Sequence, residues 1–484
     1  MRFSVQNGLL KPAEIVSEGL QVAKHSLRVS RTNPSFLYSK DLQTYLQGRL
    51  LLPDELPFPF ALIQSHVENG YVSYEYGVKD GACFRCGNKD PRLIDSFPCA
   101  RCNESCSYCR GCIQMGRVSE CTPLIKWTGP CRPKSEAAFT GLKWDGKLSN
   151  AQQKGSDRMV HAVRNQQDLL LWAVCGAGKT EMLFHGIEEA LSGNKQVCLA
   201  APRTDVILEL TPRLRTVFPK VKIASLYGGS DERFQEADLV IATTHQLMRF
   251  TDAFDVLIID EVDAFPFSAD EKLQFAAARA RKPDSSLIYL TATPSEKIKE
   301  TISLHVKIPQ RYHGHPLPVP SFTWCGHYKR ALQKKRLPEA LQQWVTDRLS
   351  LNKQAFLFVP SIPVLKDVVA ILKEKHAAVE GVHAEDPDRK EKVQKFRDGT
   401  IPIIVTTTIL ERGVTIPDSD AAVLGAEADI FTESALVQIA GRVGRSAAHP
   451  DGDVRFFHYG KTEAMIRAKK HIQMMNLEAA KVTF

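Results

Sequence analysis

The chain has 484 residues, of which 43% are hydrophobic and 24% are charged, and its formal net charge at pH 7 is +8. This length exceeds what one hydrophobic core serves, and the composition excludes a disordered or fibrous protein, so we expect about three folded domains. The positive charge favours a polyanionic partner without identifying one.

No segment of the sequence is typical of export or of membrane insertion. The opening residues, MRFSVQNGLL, lack a charged start followed by an apolar stretch, and no uncharged run approaches the ~20 residues that cross a bilayer. We therefore expect a cytoplasmic protein, whose contact with the inner face of the cell membrane would be peripheral.

Residues 1–78 form the first region. The passage DLQTYLQGRLLLPDELPFPFALI predicts a helix followed by a proline-rich break, and YVSYEYGV predicts a strand. We recognise no catalytic or ligand-binding motif in this region, and we expect its tyrosines to pack against other side chains.

Residues 79–135 form a cysteine-rich region, since nine of the twelve cysteines lie between Cys83 and Cys131. In a chain without a secretion signal, this clustering indicates metal ligands rather than disulfides. A tetrahedral Zn²⁺ takes four thiolates, and each Cys-x-x-Cys turn supplies two. Two quartets have suitable spacing: Cys83, Cys86, Cys99 and Cys102, or Cys83, Cys86, Cys109 and Cys112.

Spacing alone slightly favours the first quartet, because its two pairs are separated by the shorter loop. If the second quartet binds the metal, Cys99, Cys102 and Cys106 remain for a different quartet or for a second site with three thiolates. Cys121 and Cys131 are then left over.

The cysteine-rich region is also basic. It contains ten Lys or Arg and five Asp or Glu, a net charge of +5, and four thiolates with Zn²⁺ leave about +3. Such residues can neutralise phosphates while aromatic rings stack on bases, although the rings equally suit a miniature core and the surface equally suits a partner protein. The residues concerned are Phe84, Tyr108 and Trp127 with Arg85, Arg101, Arg110 and Arg117.

Residues 136–309 alternate between apolar strands and helical stretches, which is typical of a parallel sheet covered on both faces. The predicted strands are LLLWAV, QVCLAA, LVIATT, VLIID and LIYLTAT.

The first of these strands leads into LLLWAVCGAGKTEM (169–182), a strand, a glycine-containing turn and the start of a helix. Glycines let the backbone N–H groups and the helix N-terminus face a phosphate. Lys179 adds positive charge, the Thr180 hydroxyl suits Mg²⁺, and Ala173 replaces the first glycine of the general P-loop pattern. The stretch predicts ATP bound by Ala173, Gly176, Ala177, Gly178, Lys179 and Thr180.

Two later strands of this lobe end in polar residues. VLIIDEVD (256–263) brings Asp260 and Glu261 to the carboxyl end of a strand, where ligands gather in parallel α/β sheets. We expect Asp260 to hold Mg²⁺ and Glu261 to accept a proton from the attacking water. LIYLTAT ends in Thr291 and Thr293, whose hydroxyls are suited to relay the state of the phosphate.

Residues 310–322 are rich in proline and turn residues and predict a linker that takes up hinge motion. Residues 323–484 predict a second lobe with strands at AFLFVP, AAVEGVHA, IPIIVTTT, AAVLGA and DVRFFHYG. A helix from about residue 461 to 481 follows. Its apolar residues are expected to cover the lobe, and they are Met465, Ile466, Ile472, Met475 and Leu477.

Two polar stretches of the second lobe complete the candidate active site. IIVTTTILERGVTIP again predicts a strand that is followed by a polar turn. We assign two residues of this turn, Arg412 and Gly413, to coupling. QIAGRVGR carries Gln438, Arg442 and Arg445, which we expect to act in hydrolysis. Arginines three residues apart share one face of a helix, from which they can reach the γ-phosphate across a cleft.

The ordered motifs AVCGAGKT, APRTDV, ATTHQL, DEVD, TAT, FLFVPS, TTTILERGVTIP and QIAGRVGR resemble the superfamily 2 helicases and translocases. The resemblance implies an α/β fold in which two RecA-like parallel-sheet lobes bind ATP between them and move along nucleic acid. Related motors place an adenine-reading glutamine where LSNAQ stands here, which makes Gln152 a candidate for that role.

The stretches CFRCGN, YCRGCIQMGRVS and DEVDAFPF narrow the resemblance to the ComFA family of late competence ATPases, in which a small four-cysteine zinc module precedes the motor. The family signature falls on the Zn²⁺ ligands Cys83, Cys86, Cys109 and Cys112. The resemblance further implies a single-stranded DNA translocase with ATP and Mg²⁺, which helps to take up transforming DNA. It implies as partners the phosphoribosyltransferase-like ComFC, the DNA-processing protein DprA and the membrane DNA-uptake channel.

Two other functions compete with this interpretation. A replication-restart helicase of the PriA type also combines zinc with such a motor, but its zinc ligands lie within or after the motor. An ATP-gated competence scaffold without translocation would not need Glu261, Gln438, Arg442 and Arg445. An RNA helicase fits less well, because APRTDV and DEVD differ from the forms that DEAD-box proteins carry.

Overall fold

Two parallel sheets form the framework of the computed structural model, which describes residues 3–6, 9–12, 30–99, 105–132, 141–374, 376–412 and 416–482. The chain divides into two units. The first comprises Met1–Asp145, Met159–Leu169 and Phe184–Tyr289, and the second comprises Gly146–Arg158, Leu170–Leu183 and Leu290–Phe484.

An antiparallel region precedes the parallel sheets. Its elements are β1 (Phe3–Gln6), β2 (Leu9–Pro12), α1 (Lys40–Leu46), β3 (Leu50–Leu51), α2 (Phe60–Glu68), β4 (Val72–Glu75), β5 (Val78–Lys79), β6 (Ala82–Cys83), β7 (Ile94–Pro98), β8 (Ser105–Cys109) and β9 (Leu124–Trp127). Strands β3, β9 and β4 form an antiparallel sheet that packs with both helices around Leu42, Ile63 and Ile125. The cysteine-rich hairpins β5–β6 and β7–β8 are therefore inserted in the chain between β4 and β9.

The first parallel sheet has seven strands in the order β12-β13-β11-β14-β15-β10-β16. Its elements and those around it are α3 (Asn150–Arg164), β10 (Leu169–Ala173), α4 (Lys179–Ser192), β11 (Val197–Ala201), α5 (Thr204–Val217), β12 (Ile223–Leu226), β13 (Leu239–Thr243), β14 (Phe254–Ile259), α6 (Glu271–Ala280), β15 (Arg281–Thr291), α7 (Glu296–Thr301) and β16 (His305–Ile308). Strands β11 and β13 are buried at every residue, because helices cover both faces of such a sheet.

The second parallel sheet has six strands in the order β17-β22-β21-β18-β20-β19. Its elements are β17 (Ser321–Trp324), α8 (Tyr328–Gln333), α9 (Glu339–Ser350), β18 (Gln354–Phe358), α10 (Ile362–Lys373), β19 (Glu380–Val382), α11 (Arg389–Arg397), β20 (Ile403–Thr406), β21 (Ser419–Leu424), α12 (Glu433–Ala440), β22 (Val454–His458) and α13 (Glu463–Val482). Arg348 ties α9 to this sheet through ion pairs with Asp420 (2.8 Å) and Asp453 (2.6 Å).

The predicted α/β class with two parallel-sheet lobes behind a cysteine-rich module is confirmed. The central strands lie where the apolar runs predicted them. Strands β12, β16 and β17 were not predicted. Each stands at the edge of its sheet, so it is covered less completely and does not need the continuous apolar run that marks a central strand.

The C-terminal helix α13 covers its lobe with Met465, Ile472 and Met475, as predicted. The same expectation is wrong for Ile466 and Leu477. Their side chains are 40% and 66% exposed, because neither residue lies on the buried face of α13. Within the described ranges, no helix combines the length and apolar character that crossing a bilayer requires.

Candidate active site and cysteine module

The P-loop connects β10 to α4, which begins at Lys179. Gly176 and Gly178 have φ angles of +79° and +72°, a conformation that residues with a Cβ rarely adopt. A Cβ on Gly178 would also overlap Nε2 of Gln152. The turn therefore depends on glycine at 178 for both its backbone angle and its space.

Gln152 contacts the P-loop directly. Its side-chain N–H donates to the carbonyl oxygens of Ala177 (3.0 Å) and Gly178 (3.4 Å), and its Oε1 accepts from the N–H of Ser149 (2.9 Å). Gln152 is thus a buried brace of the phosphate loop. Its predicted role in reading adenine stays a prediction.

Asp260 and Glu261 follow β14 directly, as the sequence predicted. The N–H of Asp260 donates to the Ala200 carbonyl (2.8 Å), and Oδ1 of Asp260 accepts from the N–H of Glu261 (2.8 Å). Glu261 has a φ of +54°, which is uncommon for a residue with a side chain. Such backbone strain concentrates at functional sites, where the surrounding structure holds it in place.

Thr291 is the last residue of β15, and Thr293, just beyond the strand, contacts the second lobe. The N–H of Thr293 donates to Oγ1 of Thr291 (3.0 Å), and Oγ1 of Thr293 donates to Oγ of Ser434 (2.9 Å). Ser434 also accepts from a guanidinium N–H of Arg412 (3.4 Å). Thr293 and Arg412, both predicted to act in coupling, therefore meet at Ser434. Gly413 lies outside the described residues.

Gln438 of α12 lies against the P-loop. The Cys175 thiol donates to Oε1 of Gln438 at 3.0 Å, and both side chains are buried. A Cβ on Gly441, just after α12, would overlap the Cys175 side chain. The P-loop and the stretch QIAGRVGR are therefore in direct contact.

The predicted helical face for Arg442 and Arg445 is wrong. Helix α12 ends at Ala440, Arg442 lies in the turn 441–444 that follows, and Arg445 comes directly after Gly444 (φ +66°). We call residues 441–445 the arginine turn. Nε of Arg442 donates to the Glu411 carbonyl (2.8 Å), and Nε of Arg445 donates to the Gly441 carbonyl (3.0 Å). The glycines at 441 and 444 end the helix, so the two arginines do not share a helical face.

Arg311 is a site residue that the sequence did not reveal. Its guanidinium is buried and donates to the carbonyls of Pro316 (2.9 Å) and Val443 (3.1 Å). The N–H of the next residue, Tyr312, donates to the Gly176 carbonyl (2.9 Å). Burial, and then the neighbouring Arg445, lowers the pKa of Arg311 to about 10. The predicted linker therefore joins the P-loop to the arginine turn.

Four thiols of the cysteine module form one cluster. The Sγ atoms of Cys83, Cys86, Cys109 and Cys112 all lie within 4.8 Å of one another, and all four residues are buried. Two of the separations are 3.8 Å (Cys83 to Cys112) and 3.7 Å (Cys86 to Cys109). Hydrogen bonds from the other thiols, first from Cys112, lower the pKa of Cys109. The quartet that the resemblance implied is assembled, and its soft thiol donors fit Zn²⁺.

The cysteine module is anchored to helix α6, which follows the DEVD stretch. Arg279 of α6 donates to the carbonyl oxygens of Phe84 (2.8 Å) and Arg85 in the module. It also donates to the carbonyls of Met248 (2.7 Å) and Phe250 (3.1 Å). Burial lowers the pKa of Arg279 to about 10. One guanidinium thus holds the first Cys-x-x-Cys turn against helix α6.

A second buried contact lies beside this one. Glu55 accepts from Arg85 of the module (3.1 Å) and from Arg249 (2.6 Å), and Arg85 also donates to the Met115 carbonyl (2.7 Å). The Arg85 side chain has no solvent exposure. The expectation that Arg85 contacts nucleic-acid phosphates is therefore wrong, because the residue is an internal ion-pair partner.

The aromatic residues of the module mainly pack. Tyr108 lies edge-on to Phe97, with 5.7 Å between ring centroids, and Trp127 lies 5.9 Å from the Tyr71 ring. Phe84 is 43% exposed. Tyr108 and Trp127 therefore belong to a small aromatic core, which was the alternative to stacking on bases. Arg101 lies outside the described residues.

Three stretches of the chain match known families. Residues 30–126 match the family described as Competence protein ComFA N-terminal domain. Residues 145–296 match the res subunit of type III restriction enzymes, and residues 336–447 match the helicase conserved C-terminal domain.

Two curated relatives match most of the chain. Competence protein ComFA of Bacillus subtilis is 50% identical over 455 residues, which cover 92% of this chain and 97% of the relative. Competence protein ComFA of Streptococcus pneumoniae is 39% identical over 397 residues, which cover 79% and 90%. A solved structure of a yeast Dbp5 variant bound to RNA and ADP BeF3 has a TM-score of 0.50 at 13% identity. It covers 71% of this chain and 93% of that one, and the likeness concerns the fold.

A P-loop, a DEVD strand end and an arginine turn on two parallel sheets, with these family matches, define a helicase-type ATPase of superfamily 2, which hydrolyses ATP. The identity to the Bacillus subtilis relative extends over nearly the whole of both chains. The chain therefore belongs to the ComFA family of competence proteins.

The close fit at Gly178 predicts the effect of one added methyl group. Gly178→Ala should lower the steady-state ATPase rate by at least about tenfold, because the added Cβ displaces Nε2 of Gln152 from the P-loop carbonyls that it braces. Gly399→Ala is the matched control, since its φ of +78° is similar and nothing lies within 4 Å of its Cβ position. Equal rates in the two variants would contradict the steric role of the Gln152 brace.

The Arg279 contacts predict a stability effect. Arg279→Ala should destabilise the first unit by about 2–4 kcal/mol, because it removes a guanidinium that donates to several carbonyl groups, most of them partly buried. Thermal unfolding and limited proteolysis of the cysteine module measure this effect. Arg92→Ala, which removes an exposed arginine of the same module, should leave both unchanged. Coincident melting curves for the two variants would argue against the anchor.

Proposed function

We propose that this ComFA-family ATPase is a translocase that moves along single-stranded DNA and helps to bring transforming DNA into a competent cell. One observation carries the proposal most directly: the P-loop contacts the stretch QIAGRVGR through Cys175 and Gln438 at 3.0 Å. A nucleotide at the P-loop would therefore lie beside residues of the helicase C-terminal region, and its hydrolysis would change their contacts.

The residues around the P-loop have distinct roles in this proposal. Lys179 contacts the β- and γ-phosphates, and Thr180 and Asp260 would hold Mg²⁺. When bound, Mg²⁺ neutralises charge on the phosphate oxygens. Glu261 accepts the proton of the attacking water, and its strained backbone is consistent with a side chain held in one direction.

The arginine turn supplies positive charge to the transition state. Gln438 orients the reacting groups beside the P-loop, and Arg442 and Arg445 stabilise the charge that develops on the γ-phosphate. Arg311 positions this turn, because it bonds to the Val443 carbonyl while Tyr312 bonds to Gly176. The buried Arg442–Glu411 bond supports a fixed orientation for the turn.

Ser434 is the proposed junction for coupling. Thr293 and Arg412 both hydrogen-bond to its hydroxyl, so movement of either one changes the position of the other. Thr291 supports Thr293, because its Oγ1 accepts from the backbone N–H of Thr293. Gly413 is proposed as the flexible neighbour of Arg412 on the grounds of the sequence alone.

The quartet Cys83, Cys86, Cys109 and Cys112 is proposed to bind a structural Zn²⁺. The metal would stiffen a module that Arg279 fixes to the helix after the DEVD stretch. ComFC, DprA and the membrane DNA-uptake channel are proposed as partners.

Nucleic-acid selectivity tests the proposed function. The ATPase rate of the zinc-loaded protein should rise by about tenfold or more with single-stranded DNA. Duplex DNA and single-stranded RNA should have a smaller effect, and Lys179→Ala should be inactive in every case. Displacement of streptavidin from biotinylated single-stranded DNA then measures translocation itself. A rate that is indifferent to all three nucleic acids would favour an ATP-gated scaffold instead.

The role of Glu261 predicts a separation of binding from turnover. Glu261→Gln should bind ATP with nearly normal affinity and hydrolyse it about 10²–10⁴ times more slowly, because a general base contributes that factor. Fluorescent-nucleotide binding and single-turnover hydrolysis measure the two effects. Glu296→Gln, at an exposed glutamate of α7, is the control and should behave as the unmodified protein. Loss of ATP binding in Glu261→Gln would assign the residue to the metal rather than to the water.

A further inference from the structure

We propose that the chain has a second Zn²⁺ site, formed by Cys99, Cys106 and Cys121. The three Sγ atoms all lie within 4.8 Å of one another, and all three residues are buried. None of them belongs to the quartet that contains Cys109. The site therefore uses thiols that the first metal leaves over, including Cys121, which no Cys-x-x-Cys spacing identifies.

The backbone brings these three cysteines from three adjacent segments. Cys99 follows β7, Cys106 lies on β8, and β7 pairs with β8 in antiparallel register. The segment before Cys121 then returns along β8, where the N–H of Glu120 donates to the Ser107 carbonyl (3.0 Å). The proximity of the thiols follows from backbone pairing, and a metal would join all three segments at one point.

Strand β8 supplies one ligand to each metal. Cys106 and Cys109 are three residues apart, and side chains at odd separations along a strand point to opposite faces. Both are buried, whereas Ser107 and Tyr108 between them are only partly so. Two separate sites on the two faces of β8 explain this burial pattern, and a single site does not.

Apolar packing is too limited to account for the cluster. Among the residues that the structure describes, its core consists of the three cysteines, with the half-buried Phe97 packed against them. Arg117 covers the Phe97 ring at 4.2 Å. An isolated two-stranded hairpin is marginally stable, and modules with so small a core are commonly held by metals or disulfides. A disulfide could join only two of the three thiols and would leave the third buried.

Zn²⁺ suits this donor set. Three thiolates satisfy most of its tetrahedral shell, and one further donor, which can be water, completes it. With three thiolates the site carries a formal charge of about −1, which the basic surroundings tolerate. One such positive charge is the guanidinium of Arg117, which lies over the ring of Phe97, a residue packed against the cluster.

Metal content of the purified full-length chain tests the proposal. We expect about two zinc ions per chain by inductively coupled plasma mass spectrometry. Cys106→Ser and Cys121→Ser should each retain about one zinc, and so should Cys109→Ser. The double variant Cys106→Ser/Cys109→Ser should retain essentially none. Cys131→Ser, at an exposed cysteine outside both clusters, is the control and should retain about two.

Folding is checked separately from metal loss. In Co²⁺-substituted protein, Cys106→Ser should keep the thiolate charge-transfer bands of the first site and lose those of the second. About one zinc in the folded, unmodified protein after dialysis against excess zinc would overturn the proposal. A disulfide between two of the three cysteines, detected by mass spectrometry of the freshly isolated protein, would overturn it as well.

Discussion

A parallel strand that is covered on both faces can carry polar side chains only near its ends. This constraint determines where chemistry can occur in the chain. Strands β11 and β13 are buried throughout, and the polar residues proposed to bind ATP and Mg²⁺ follow strands: Lys179 after β10 and Asp260 after β14. The left-handed backbone of Gly176 and Glu261 then turns the chain sharply just beyond these strands. The proposed catalytic groups therefore lie in short loops at strand ends.

Buried arginines provide the connections between those loops and the rest of the structure. Arg311 joins the predicted linker, which contacts the P-loop through Tyr312, to the arginine turn, and Arg279 joins the cysteine module to α6. A guanidinium has five N–H donors in a fixed plane, so a single side chain can satisfy several backbone carbonyls at once. Burial of such a charge is expensive without hydrogen-bond acceptors, so loss of the carbonyl contacts should be costly at each of these connections.

The cysteine module shows how alternation along a strand divides one cluster of thiols into two. The spacing of cysteines along the sequence does not show which face of a strand each cysteine occupies. On β8, Cys106 and Cys109 point to opposite faces, so each joins a different group. Arg279 of α6 contacts the Cys-x-x-Cys turn that belongs to the first group, and Cys99, Cys106 and Cys121 form the second group.

The sequence by itself determined the fold class, the central strands and the nucleotide-binding motif, because these depend on local patterns: apolar runs, glycine turns and the residues next to them. It also identified Glu261, Gln438 and the arginines as candidates, but it placed Arg442 and Arg445 on a helix that Gly441 ends. Tertiary structure alone decided the partners of Arg85, Arg279 and Arg311, the meeting of Thr293 and Arg412 at Ser434, and the grouping of Cys121 with Cys99. Each of these contacts joins residues distant in sequence, so the backbone must fold before the contact exists.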